Sequence, residues 1–199
     1  MICIRLDLDY VPWDAAKADA YGHGEPAMIL KLLTLARELG LKYHFFASVR
    51  TMHAFPTLAN AILGEAHDLD WLCDKAGDEN EFAEAKQLFA LAGHKILGVA
   101  YLGVFLNDVG DLRFLSADVG SVTGDALIFP VSGRLDDASH AIVADSGGLR
   151  TFAASPQVLA KVDPSLSRFE KFAREHAQSV TTLREEITRE RKQEEKQSE

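Results

Sequence analysis

Asp7 and Asp9 end the apolar-rich run Ile2-Cys3-Ile4-Arg5-Leu6-Asp7-Leu8-Asp9. In an extended strand, side chains two residues apart point to the same face, so the two carboxylates converge on one side. Such a pair suits chemistry at one centre, either holding a divalent metal or passing a proton to and from water. It can equally be structural, paired with Arg5 or with amides at the strand end. Histidines at positions 23, 44, 53 and 67 are dispersed. Of these, His44 has the setting of a hydrogen-bonded interior residue, while His23 and His53 fall in loops or helix starts without an evident partner. The glycines in 119–124 and 146–148 lack the strand-then-loop spacing of a phosphate cradle.

The elements that must position the pair alternate along the chain. Residues 2–8 read as a strand, followed by a loop over 11–24. A helix then opens at Glu25-Pro26, where proline tolerates the first turn and the acid faces the positive end of the dipole. Its apolar stripe, Met28, Ile29, Leu32, Leu33, Leu35, Ala36 and Leu39, ends at Gly40. Further strands are predicted over 42–48, 68–71, 95–102, 114–119, 126–131, 141–144, 151–155 and 179–183. Helices are predicted around Pro56 to residue 64, over 79–92 with Gly93 as its stop, from Pro156, and over 166–177. Residues 184–199 are nearly all polar and predict a solvated, fraying helix end. This alternation predicts an α/β layer or barrel with a largely parallel sheet. Ligands of such folds sit at the carboxyl ends of the strands, where Asp7 and Asp9 fall.

Composition narrows the function. The 199 residues are 47% hydrophobic and 26% charged, which fits one core-bearing domain and neither a disordered nor a fibrous chain. A formal charge of −9 repels phosphate backbones and anionic lipid, so neither a nucleic-acid nor a membrane-surface partner is expected. Cys3 and Cys73 are too few for a disulfide framework, and with no apolar run near the length of a membrane span the expectation is a cytoplasmic protein.

The order of several short segments resembles the polysaccharide deacetylase family. They are the double-Asp strand, Lys42-Tyr-His-Phe-Phe-Ala47, Phe55-Pro56 leading through Ile62-Leu63 to Ala66-His67-Asp68-Leu69, Gly98-Val99, Ser155-Pro156, and the ending Phe169 to Leu183. The family counterparts are a Phe-Asp-Asp strand, a Thr-Phe-Phe strand and a Gly-His-Glu-Ile-Gly turn, and the similarity covers roughly residues 2 to 187. It implies a distorted (β/α) barrel of about seven strands. It also implies metal-dependent hydrolysis of an acetyl group on a carbohydrate or acetylated small molecule. Carried over, Asp7 is the catalytic base and Asp9 a metal ligand, while His67 shapes its turn on the substrate side. Trp71, near the expected mouth, is a candidate for stacking on a sugar ring.

The chain also departs from the family pattern. The two metal-binding histidines expected after the turn fall at Leu72 and Ala76, the arginine that orients the catalytic aspartate falls near Ala100 in Val99-Ala-Tyr-Leu-Gly103, and the late histidine falls at Ser155. Asp70 and Asp74 are the candidate replacement ligands. An all-oxygen set of this kind favours magnesium or manganese over zinc. The expected organisation is one deacetylase-like domain over 1–187 with a charged tail over 188–199. Two other functions stay open. One is a catalytically inactive scaffold that binds carbohydrate or a protein partner. The other is a haloacid dehalogenase-type phosphatase, with Asp7 as nucleophile, Asp9 as acid and Ser48 at the phosphate, for which Asp108 and Asp111 are the late acids available.

Overall fold

A computed structural model describes residues 1–9, 25–73, 79–104, 112–119, 126–137 and 148–197. Strand β1 (Ile2–Leu8) lies inside a sheet whose order is β6-β5-β4-β3-β2-β1-β8-β7. The partners are β2 (His44–Ala47), β3 (Asp68–Cys73), β4 (Gly98–Val104), β5 (Phe114–Val119), β6 (Leu127–Ile128), β7 (Val131–Arg134) and β8 (Arg150–Ala154). A two-residue β9 (Val180–Thr181) adds to the start of β1, and every described pairing is parallel. The sheet curls until β5 comes into contact with β7, giving a distorted (β/α) barrel in which helices clothe the outer surface.

Period-two alternation sorts each strand between two cores. Ile2, Ile4, Leu6 and Leu8, with Phe45, Ala47, Leu69, Trp71 and Cys73, face outward and pack under helices α1 (Glu25–Leu39), α4 (Glu79–Leu91), α5 (Pro156–Val162) and α6 (Ser167–His176). Cys3, Phe46, Leu72, Ala100 and Phe114 face the barrel interior and form a smaller core with Phe129. The last helix, α7 (Leu183–Gln197), inserts Leu183 and Ile187 into that inner core. Gly98 is dictated by this interior, because a Cβ there would lie 2.1 Å from the Phe114 ring.

Local chemistry sets the helix ends. Gly40, at φ +65°, lets the Leu41 N–H return to the Ala36 carbonyl at 2.9 Å, closing α1. Gly93, at φ +71°, does the same for α4, with the His94 N–H on the Phe89 carbonyl.

The architecture agrees with the sequence expectation, and the differences have local causes. The second strand stops at Ala47 because Ser48 caps α2 (Val49–Ala54), accepting from the Thr51 N–H at 3.2 Å. The helix around Pro56 is split into α2 and α3 (Leu58–Gly64), as expected where proline breaks the hydrogen-bond ladder. The run predicted over 126–131 separates into β6 and β7 at Pro130. The polar stretch after residue 184 is helical from Leu183 to Gln197, anchored at its start by the inner core. Residues 141–144 fall outside the described residues.

Candidate functional site

Arg5 and Asp7, two apart on β1, both face the barrel interior. Arg5 Nε donates to Asp7 Oδ1 at 2.6 Å and Nη2 donates to Oδ2 at 3.1 Å, a two-pronged ion pair in which the residues are 0% and 1% exposed. The remaining nitrogen, Nη1, reaches β5, four strands away in the sheet order. There it donates to the Ser116 carbonyl at 2.9 Å and meets Ser116 Oγ at 3.0 Å. The Phe46 ring lies 5.5 Å from the guanidinium carbon and shields it from water. Asp7 is therefore fixed in orientation, with both oxygens already accepting from a buried cation.

Asp9 lies just beyond the end of β1 and is half-buried. It accepts from Arg50 Nη2 at 2.8 Å, so an ion pair links the end of β1 to the first turn of α2. Beside it the Thr51 hydroxyl donates to the Leu8 carbonyl at 2.6 Å and meets Ser48 Oγ at 3.1 Å. Ser48 is 1% exposed and committed to capping α2, which is not the setting of a phosphate-binding serine.

Asp70 is level with Asp7 through Phe46 in the sheet register, but its carboxylate is bonded toward the starts of the strands. Its Oδ1 accepts from the Leu97 and Gly98 N–H groups at 2.7 and 3.1 Å and from Arg184 Nη2 at 2.8 Å. Its Oδ2 accepts from Arg184 Nε at 2.7 Å and from His44 Nε2 at 3.0 Å. His44 Nδ1 accepts from the Leu183 N–H at 3.2 Å, so Nε2 carries the proton. These partners occupy the starts of β2, β4 and α7, whereas Asp9 stands past the carboxyl end of β1. Burial alone would push the Asp70 carboxyl up, but the hydrogen bonds from His44 and Arg184 outweigh it and hold the group below the usual carboxylate range. A carboxylate saturated by five donors, and turned toward the strand starts, is not free to share an ion with Asp9. Asp74 lies outside the described residues.

The two substrate candidates are also placed away from Asp7. Trp71 follows Asp70, so it projects to the outer face, where it stacks on Phe82 of α4 with ring centroids 5.0 Å apart. His67 is buried beneath the helices, with Nδ1 accepting from the Tyr43 N–H at 3.1 Å and its ring stacked on Tyr43. That placement fits the turn-shaping half of its expected role and leaves no face for a ligand.

The positions where the resemblance expects a metal histidine and the aspartate-orienting arginine are Leu72 and Ala100. The two residues are register partners on β3 and β4, both buried in the inner core with Phe46 and Phe114. Ala76 lies outside the described residues. Among the described residues no group of three or more His, Cys, Asp or Glu side chains could hold a metal ion. The described donors at the rim do not by themselves make up a catalytic metal site, which needs about three protein ligands with an open position.

A second Arg-x-Asp pair was not anticipated from the sequence. Arg134 Nε and Nη2 donate to Asp136 Oδ1 and Oδ2 at 2.9 and 2.8 Å, and the Ser155 N–H donates to Oδ2 at 2.6 Å. The pair stands at the carboxyl end of β7, two strands from β1, so Arg134 and Arg50 both present partly exposed guanidinium groups at the rim. The detectable signal was the Arg-x-Asp spacing shared with Arg5 and Asp7, although here Asp136 lies in the turn just after β7.

No family model and no curated protein matches the chain. Solved structures match the fold. A putative polysaccharide deacetylase from Mycobacterium smegmatis superposes with a TM-score of 0.70 at 14% identity, over 97% of this chain and 90% of that one. The Puue allantoinase superposes with a TM-score of 0.67 at 13% identity, over 92% and 87%. The peptidoglycan deacetylase PdaC from Bacillus subtilis, as a point mutant, gives 0.59 at 11% identity, over 98% and 96%. At these identities the likeness is one of fold.

Proposed function

We propose that this chain uses a deacetylase-type barrel as a scaffold that binds a carbohydrate or acetylated small molecule, and that it does not hydrolyse the acetyl group. The observation that carries this reading is the Leu72–Ala100 pair. Where the resemblance calls for a metal ligand and an arginine, two apolar side chains sit side by side inside the barrel, sealed by Phe46 and Phe114. Asp9 is then the sole proposed ligand at the rim among the described residues, and its carboxylate is engaged by Arg50. The sugar class is supported by the fold neighbours named as polysaccharide and peptidoglycan deacetylases. It is also supported by the rim itself, where the Asp9–Arg50 and Arg134–Asp136 pairs offer planar donors and acceptors suited to neighbouring hydroxyls.

One observation favours the hydrolytic alternative. Asp7 keeps an arginine partner even though the expected one falls at Ala100, because Arg5 supplies it from within β1. A positioned aspartate still needs a ligand set to polarise an acetyl carbonyl, and the described residues offer none.

Titration with an N-acetyl chitooligosaccharide, followed by amide chemical shifts, tests the scaffold reading. Saturable shifts at the rim are expected, with affinity about tenfold weaker in Arg134→Ala, as for loss of a charge-assisted hydrogen bond. Absence of saturable binding contradicts it.

A further inference from the structure

The end of the barrel opposite Asp9 carries a second feature, independent of the rim. A groove of about 290 Å³ runs between α7 and the starts of β4 and β5, lined by Leu97, Arg113, Arg184, Ile187, Thr188, Arg191, Lys192 and Glu195. The α7 members recur at three- and four-residue intervals, so a single helix face presents them. Four cations meet one carboxylate there, in a chain whose net charge is −9. A local reversal of sign on so acidic a molecule concentrates anions at that place and repels them elsewhere.

The cations fall into two kinds. Arg184 is a fixed member, since its Nε and Nη2 are held by Asp70 and by the carbonyls of Leu69 and Lys95. Its third nitrogen, Nη1, takes no part in those bonds. Asp70 lies behind it and neutralises it from the interior side. Arg113, Arg191 and Lys192 are exposed, and among the described residues their side chains enter no ion pair. Arg113 is nonetheless rooted, because its backbone N–H donates to the Leu97 carbonyl at 2.7 Å at the entry to β5. Four like charges brought to one groove with only Glu195 in its lining and Asp70 behind Arg184 repel one another in excess, and a bound anion relieves that repulsion. His94, adjacent to Arg184, is held below its ordinary range by burial and by that cation, consistent with a positive local field.

We infer that this groove binds the phosphoryl group of a small phosphorylated ligand, with Arg113, Arg191 and Lys192 as its contacts and Arg184 as the oriented base of the site. Three properties select phosphoryl over carboxylate. The cation count exceeds what one carboxylate needs, arginine forks match phosphate oxygens in pairs, and the volume admits a phosphoryl group with a small organic remainder. The groove between α1 and the 163–170 turn, lined by Lys31, Glu38 and Glu170, has mixed charge and makes no such selection.

Isothermal titration of the full chain with inorganic pyrophosphate tests the site. One-site binding is expected, weakening steadily as sodium chloride is raised. The Arg113→Ala, Arg191→Ala double variant should bind at least about tenfold more weakly while melting at the wild-type temperature, since both side chains are exposed. Lys171→Ala, on the outer face of α6, should bind as wild type. The inference is overturned by absent saturation, by undiminished binding in the double variant, by equal loss in Lys171→Ala, or by preference for a single-stranded oligonucleotide. Chitooligosaccharide binding at the rim is unaffected by any of these results, so the two proposals fail separately.

Discussion

At the scale of single residues, the parity of the strands decides what each candidate does. Asp70 and Trp71 are consecutive, so period two alone prevents both from facing one site, and the structure sends one inward and the other beneath α4. The same rule made Arg5 and Asp7 legible as neighbours. What no spacing shows is Ser116, brought to Arg5 from 111 positions away by the closure of the sheet. Removing one member of a buried ion pair strands the other, whereas replacing both can be nearly neutral. Arg5→Met is therefore expected to destabilise the protein by about 3–5 kcal/mol, and Arg5→Met with Asp7→Leu to recover most of that loss. Urea melts of the two variants check this, and an additive double variant would show that the pair is not coupled.

At the scale of elements, α7 and β3 meet through Asp70, and their docking carries a pH dependence. The Asp70 carboxyl is held low in the folded protein, so its contribution is complete above the unfolded carboxylate range and is lost as pH falls toward the folded value. His67 and His94 act in the same direction by another route. Burial holds both below the ordinary histidine range, so below about pH 6.5 the unfolded chain takes up protons that the folded chain resists. Stability is thus expected to decline in two stages on acidification, the first through the histidine range and the second through the carboxylate range. His67→Gln should flatten the first stage and Asp70→Asn the second, in thermal melts recorded against pH. A single-stage decline unchanged by either variant contradicts the assignment. The sequence foretold the strands and most helices here, because apolar periodicity and Gly40, Gly93 and Pro56 mark them. It read the polar run after Leu183 as a solvated helix end and missed that the start of this helix docks on the barrel. Its apolar hold on the barrel comes from Leu183 and Ile187, too few to show as a stripe, with polar ties from Arg184 to Asp70 and from Glu185 to Lys42.

At the scale of the whole molecule, the fold was legible from the order of its segments, while the fate of the active site was only half so. Substitution at Leu72, Ala100 and Ser155 could be read along the chain. That Leu72 and Ala100 become register partners packed against Phe46 and Phe114 required the sheet. Among the described residues no helix is long and apolar enough to cross a membrane. The barrel thus presents two polar ends, a rim of ion pairs at the strand carboxyl ends and a cationic groove under α7, with an apolar cluster at Leu72 and Ala100 beside the buried ion pairs of the interior. The central claim is that this cluster stands in place of a hydrolytic centre's ligands. Acetate release from an N-acetyl chitooligosaccharide, measured with the purified protein alone and with added zinc, cobalt or manganese, tests it most directly. The account predicts no acetate above the protein-free control under any of the four conditions. Metal-stimulated release that Asp7→Asn abolishes would contradict it.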